Sequence, residues 1–324
     1  MVHGATGGGR KRDYDMMPEL EIGFCRRIIP SSQKLHDISY SALPDGSLAI
    51  LRARTDFLTI WQNNLKKGLQ GKSLSVEGER GFLFIYDGLM EWPVLELPLE
   101  SPFPLMDQNN EGRWIFAGSD ARYRSHNACI LSSSGKLLQH INLGQAVQHV
   151  QYDEEDMIWT GYFDQGFYKK LQYAHETFSM TGLLRFNSSG RPVWGTPKPI
   201  MDCYALNVFK NTAWVYHHPE FQIIEFSYSG IESVRNTDIR GARAIAVNMP
   251  YVLLGSGYGS EFDRVVLVRL DDEKAVTLGQ FSLNLREPGK LKLSYFGGRG
   301  PFLHFVWDDL WIRLHVEEVR QWFC

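Results

Sequence analysis

Residues 147–195 carry the feature that most constrains the fold: four short runs of alternating or apolar residues, grouped in pairs around tight turns. The first pair, 149–152 and 158–163, flanks Asp153-Glu154-Glu155-Asp156, and a long polar loop follows. The second pair, 182–186 and 192–195, is joined by Asn187-Ser188-Ser189-Gly190, whose composition is hairpin-turn chemistry. A period of two puts successive side chains on opposite faces of a strand, and no helical period competes with it. The segment therefore reads as one four-stranded antiparallel meander.

The same pattern recurs along the chain. A first meander is predicted over 38–43, 47–53, 81–86 and 92–97, with Pro44-Asp45-Gly46 and Asp87-Gly88 as turns, and a second over 105–108, 113–118, 127–132 and 137–143. The segment above is the third, and a fourth runs over 204–209, 212–217, 221–228 and 231–239. The fifth covers 243–248, 251–256, 264–270 and 276–282. A sixth begins with 291–296, 301–307 and 310–316 and then lacks its last strand. Residues 19–29 alternate as a strand yet stand alone, so they are the piece that completes the sixth unit and closes the array. Residues 1–18, Gly-rich and then charged, show no period and read as a disordered tail before a single domain over 19–324.

A lone meander cannot bury both of its faces, so repeated ones stack on their neighbours. In this pattern the chain resembles β-propeller proteins from about residue 19 to its end, which implies an all-β, six-bladed propeller of four-stranded antiparallel blades, closed by the N-terminal strand in the last blade. The resemblance is one of pattern. The Trp-Asp dipeptide of one propeller family occurs only at Trp307-Asp308, and the double glycine of the kelch family only at Gly297-Gly298, so the known partners of those families do not transfer.

Composition bounds what such a ring does. The 324 residues are 44% hydrophobic, 13% aromatic and 22% charged, enough for a full core and rich in residues that suit sheet faces. The formal charge of −3 gives no electrostatic reason to expect nucleic acid or an anionic membrane as partner. No long apolar span occurs and the first residues lack the apolar region of a secretory signal, so a cytoplasmic protein is expected. Cys25, Cys129, Cys203 and Cys324 are widely spaced and form no CxxC pair, which reads as buried thiols and not as a zinc site or disulfide framework.

Loop length points to one face. In a propeller the connections between the second and third strands of each blade lie on the same face, and three successive ones here are long: 54–80, 119–126 and 164–181. They hold Phe57, Trp61, Lys66 and Lys67; Arg122, Tyr123 and Arg124; and Phe167, Tyr168, Lys169 and Lys170. Aromatic and Arg side chains dominate interface energetics. The three loops carry a net +3 in a chain of −3, a bias towards a partner protein with an acidic surface. The leading expectation is a non-catalytic protein-binding propeller, monomeric outside its complex: an adaptor or scaffold, or an immunity protein that neutralises a microbial toxin. The competing local reading makes Phe57, Leu58, Ile60 and Trp61 one turn of an amphipathic helix packed on the blade.

The chain has no phosphate loop, GxSxG elbow or HExxH; the glycines at 255–259 follow a strand with no helix after it, the acidic run at 153–156 lacks EF-hand spacing, and His217-His218 would point to opposite faces of a strand. Neither a cofactor nor a metal is expected from these spacings. The alternative is a hydrolase or lyase acting on a sugar or small ester at the axial mouth, where Asp107, His149, Asp202, Arg243 and Tyr295 are the candidates for acid–base chemistry.

Overall fold

A computed structural model describes residues 24–28, 34–69, 74–119, 126–163, 181–227, 230–285 and 294–323. Six four-stranded antiparallel sheets follow one another along the chain. The first blade is β2 (His36–Ala42), β3 (Leu48–Ala53), β4 (Arg80–Tyr86) and β5 (Glu91–Pro98). The second is β6 (Leu105–Gln108), β7 (Trp114–Ala117), β8 (Ala128–Leu131) and β9 (Leu137–Ile141). The third is β10 (Val147–Tyr152), β11 (Ile158–Tyr162), β12 (Leu183–Phe186) and β13 (Pro192–Gly195). The fourth is β14 (Asp202–Phe209), β15 (Thr212–His218), β16 (Gln222–Ser227) and β17 (Gly230–Asn236). The fifth is β18 (Ala244–Asn248), β19 (Tyr251–Gly255), β20 (Arg264–Leu270) and β21 (Ala275–Ser282).

The sixth blade takes β22 (Ser294–Arg299), β23 (Phe302–Trp307) and β24 (Leu310–His315) from the end of the chain and β1 (Cys25–Arg27) from its beginning. β1 pairs antiparallel with β24, Cys25 opposite Ile312 and Arg27 opposite Leu310. The ring is thus closed by the N-terminal strand, as the orphan run at 19–29 predicts, with the described strand shorter. Phe24 strengthens the seam: its ring meets Trp311 edge-on at 4.8 Å and lies 4.0 Å from the Arg313 guanidinium.

Burial explains why the strands read as they do. β3, β7, β8, β11 and β12 are buried along their whole length, because both faces of a blade's middle are covered by neighbouring blades. The outermost β5 and β9 alternate loosely and stay largely exposed. The core is accordingly divided into six apolar clusters, one between each pair of adjacent blades, and the last, with Ile28, Tyr40, Leu48, Ile50, Tyr86, Val306 and Trp311, joins the sixth blade to the first.

Turns repeat one device. Asn109, Asp153 and Asn187 each accept, through Oδ1, the backbone N–H groups two and four residues on, which replaces strand hydrogen bonds at the hairpin. Asp153 is also buried, and its Oδ2 accepts from Trp159 Nε1 and Arg185 Nε, both at 2.8 Å. The acidic turn is therefore a structural anchor, more than a solvated one.

One local expectation is corrected, and among the described residues two short α-helices accompany the strands, the first as the amphipathic reading of 57–61 expects. The inner strand of the sixth blade runs to Arg299, past the expected end at 296, with 291–293 outside the described residues: Gly297 and Gly298 continue the strand, and Gly298 packs so closely that an added Cβ would stand 1.7 Å from the Ile245 carbonyl oxygen. Residues 57–66 form helix α1 (Phe57–Lys66), capped by Asp56, whose carboxylate accepts from Thr59 N at 3.0 Å. A second helix, α2 (Val316–Arg320), extends past β24 and buries Val316 and Val319 against the fifth and sixth blades. Among the described residues no helix is long and apolar enough to cross a membrane. Cys25, Cys129 and Cys203 are free thiols; burial pushes the Cys129 thiol up to about 12 and raises that of Cys203.

Candidate functional site at the axial mouth

The first strand of each blade, β2, β6, β10, β14, β18 and β22, faces the axis, and each packs against the first strands of its neighbours. Where these strands begin, a cavity of about 330 Å³ opens, lined among others by Tyr40, Gln148, His149, Tyr204, Arg243 and Tyr295.

Strand irregularity puts these groups there. β10 bulges between Val147 and His149, and β14 between Cys203 and Ala205, so Gln148 and Tyr204 are the unpaired residues. An extra residue breaks the alternation and re-aims a side chain, a device common beside binding sites. That is how Gln148 and its neighbour His149 both come to line one cavity. Gly161 leaves room for the imidazole: a Cβ there would lie 3.3 Å from His149 Cδ2 and 2.6 Å from Cys203 Sγ.

The polar groups are held before any ligand arrives. His149 Nε2 lies 3.0 Å from the Cys203 carbonyl oxygen, to which it donates, leaving Nδ1 as the acceptor of a neutral ring. Burial is the largest cause that pushes its pKa down to about 4; the backbone contacts oppose it, and the Arg243 charge adds to it. The Arg243 guanidinium sits 4.0 Å from the Tyr204 ring centroid, and His218 stacks on the same ring at 5.4 Å. Tyr258 donates its hydroxyl to Tyr204 Oη at 3.0 Å. Tyr295 Oη accepts from Ala42 N at 2.9 Å, and burial pushes this phenol up to about 12, so it remains a proton donor. With the Gln148 amide nitrogen turned towards β14, it donates to the Cys203 carbonyl at 2.9 Å and approaches Asp202 Oδ1 at 3.3 Å.

The floor is closed. Arg299 reaches from β22 across the axis, donating to Gln151 Oε1 at 3.1 Å, Val208 O at 3.0 Å and Tyr152 O at 2.8 Å, and pairs with Asp107 Oδ2 at 3.2 Å. Gln151 in turn donates to the carbonyls of Leu206 and Gly298, and Asn207 to those of Ile245 and Gly300. On the far side Arg299 lines a separate pocket of about 60 Å³ with Gln108 and Phe209.

Of the five axial candidates read from the sequence, the structure gathers His149, Arg243 and Tyr295 in the cavity wall. Asp202 stands at the start of β14, beside Gln148. Asp107 is fully buried in the floor with Arg299, so it faces the ion pair and not the mouth. Tyr40, Gln148 and Tyr204 were missed, the last two because a bulge is invisible to a strict period of two. His217 and His218 do point apart, the first buried and the second stacked on Tyr204.

On the long loops, Trp61 and Lys66 on α1 and Lys67 at its C-cap are exposed. Phe57 is corrected: it is 1% exposed and packs in the core against Phe103, out of reach of any partner. Arg122, Tyr123, Arg124, Phe167, Tyr168, Lys169 and Lys170 lie outside the described residues.

No family model matches the chain, and no curated protein matches its sequence. Solved structures do share its fold. The PQQ-bound aldose sugar dehydrogenase from Streptomyces coelicolor aligns over 91% of this chain and 97% of its own with a TM-score of 0.51 at 12% identity. A streptogramin B lyase aligns over 90% and 96% with a TM-score of 0.50 at 11% identity. A catalytically inactive virginiamycin B lyase from Staphylococcus aureus, with quinupristin, covers 90% and 98% at 12% identity and a TM-score of 0.49. By its blades, its closure and the fold it shares with the sugar dehydrogenase and the streptogramin B lyase, the chain is a six-bladed β-propeller.

Proposed function

We propose that the axial mouth is the functional site and that the protein is a hydrolase or lyase acting on a small, carbonyl-bearing sugar derivative or ester. The observation that carries this reading is the convergence of His149, Arg243 and Tyr295 on one cavity closed at its floor. Arg243 supplies the positive charge that a carboxylate, phosphate or developing oxyanion requires. Neutral His149 offers Nδ1 as a proton acceptor, and Tyr295 offers a hydroxyl proton. Tyr40 and Tyr204, both largely buried, line the wall, and the Tyr204 ring holds Arg243 and His218 in place. Two proteins of the same fold, the sugar dehydrogenase and the streptogramin B lyase, are enzymes by name, which accords with this reading, although a fold by itself carries no activity.

The test is a panel of sugar lactones, small esters and carboxylated metabolites, scored by thermal shift and by turnover. A ligand of this class is expected to stabilise the wild type, and Arg243→Met to abolish the shift. Substrate turnover should fall by about 10²-fold or more in His149→Gln, the range for loss of a general base. Ligands that stabilise wild type and both variants equally would place the site elsewhere.

A second reading has its own observation. Ile60 and Trp61 on α1 and Leu69 just after it are 41%, 39% and 42% exposed, an apolar patch on the face that carries the long loops. This patch supports binding of a partner protein, as an adaptor or immunity protein would bind. Retention of a partner by wild type and its loss with Trp61→Ala, at unchanged turnover, would favour it.

A further inference from the structure

Away from the axis, Glu100, His126 and His140 converge on the rim of the second blade. One carboxylate oxygen lies 3.5 Å from His126 Nε2 and the other 3.3 Å from His140 Nε2, and the two imidazole centroids are 4.0 Å apart. Their ligand atoms all fall within 4.8 Å of one another. From this geometry we propose a divalent transition-metal site, of zinc type, with Glu100, His126 and His140 as its three protein ligands and with an open position towards solvent.

Distances support it first. A metal bound at about 2.0–2.1 Å in a tetrahedral shell holds neighbouring ligand atoms roughly 3.3–3.4 Å apart. Each imidazole nitrogen stands near that spacing from its own oxygen of Glu100, 3.5 Å for His126 and 3.3 Å for His140, whereas a charge-assisted hydrogen bond would draw the same atoms to about 2.7–2.9 Å. Chemistry supports it next, because one divalent cation accepts a lone pair from both imidazoles and from the carboxylate at once. Two nitrogens and one oxygen suit zinc and its first-row neighbours and not calcium or magnesium, which take oxygen.

The scaffold is also rigid where it must be. Glu100 lies in the connection from β5 to β6, His140 on β9 opposite Cys129, and His126 two residues before β8. Asn127 pins the backbone beside His126 by donating to the carbonyls of Gly118 and Gly144 and accepting from Leu143 N, each at 2.9 Å. The three side chains keep 29%, 28% and 34% of their surface, so an ion has an entry path and room for water. Glu100 and His126 also line an open groove of about 790 Å³ between the first and second blades, with Glu79 and Arg80 on its other wall. The ion ties the connection between two blades to the outer strand of the second and presents a Lewis-acidic centre to whatever enters.

The test uses the full chain, stripped with chelator and titrated with Zn²⁺, then with Co²⁺ as a spectroscopic probe. Saturable one-to-one binding is expected, with a rise in melting temperature and visible Co²⁺ bands from nitrogen–oxygen coordination. His140→Ala and Glu100→Gln should each weaken binding by at least about 100-fold, beyond the 10- to 100-fold of a residue that only orients a ligand. His36→Ala, on an exposed position of the first blade, should leave it unchanged. Circular dichroism of each variant confirms the fold, and His126→Gln substitutes for any variant that fails this check. Absence of stoichiometric binding by the stripped wild type, or equal affinity in folded variants lacking these ligands, overturns the assignment.

Discussion

Arg299 of the sixth blade and Asp107 of the second meet at 3.2 Å across the propeller axis, both almost fully buried. Burial raises the Asp107 pKa and the Arg299 charge opposes that, so the carboxylate relies on its partner. Removing one member of a buried pair leaves the other uncompensated, typically at about 3–5 kcal/mol, whereas replacing both by apolar residues is often near neutral. Arg299→Met should therefore lower the urea midpoint strongly, and Arg299→Met with Asp107→Leu should recover part of the loss. Additive losses in the double variant would show that Arg299 acts through its three other hydrogen bonds instead.

Closure gives a second prediction. Phe24, Cys25 and Ile28 carry the seam with β24, and Ile28 is buried in the cluster that joins the sixth and first blades. Deleting residues 1–18 should leave the melting temperature nearly unchanged; deleting 1–29 should unfold or aggregate the protein by baring the edge of β24. Equal melting curves for the two truncations would remove the seam from the stability of the ring.

Acid should destabilise the protein through buried histidines. His304 Nδ1 accepts from Trp311 Nε1 at 3.2 Å, and burial, aided by the Arg313 charge, pushes its pKa down to about 3; His149 stands at about 4. An unfolded histidine titrates near 6.5, so below that pH the unfolded chain binds the proton first. The stability contribution is full above about pH 6.5, falls by up to about 1.4 kcal/mol per pH unit for each histidine, and levels off near the folded values. His304→Gln should show a shallower loss than wild type between pH 6.5 and 3 in denaturant titrations. Parallel curves would mean that His304 takes its proton in the folded state.

Gly298 offers the sharpest steric test. An added methyl would stand 1.7 Å from the Ile245 carbonyl oxygen, and a backbone atom cannot step aside as a flexible side chain does. Gly298→Ala should cost several kcal/mol, about 3 or more, in the range of severe overpacking. Gly161→Ala meets the Cys203 side chain instead and should cost less while disturbing the His149 ring. Thermal melts and ligand shifts of the two variants separate these effects.

The pattern of the sequence determined the number of blades, the four-strand beat and the closing role of the N-terminal strand. Those follow from local chemistry: alternation sets a strand, and Asn187-Ser188-Ser189-Gly190 or Pro44-Asp45-Gly46 sets a turn. An odd strand such as 19–29 must pair somewhere. It also brought His149, Arg243 and Tyr295 to the axis, because first strands converge by rule. What it could not determine depends on contacts between distant segments. Gln148 and Tyr204 enter the mouth through bulges set by the pairing of β10 with β11 and β14 with β15, not by their own alternation. Asp107 leaves the mouth because Arg299, four blades further along the chain, claims it in the floor. Glu100, His126 and His140 share no motif spacing and meet only when the β5–β6 connection folds over the second blade. Period and turn composition act over a few residues, whereas a site is a meeting of side chains from separate strands, and only the closed ring fixes which of them meet.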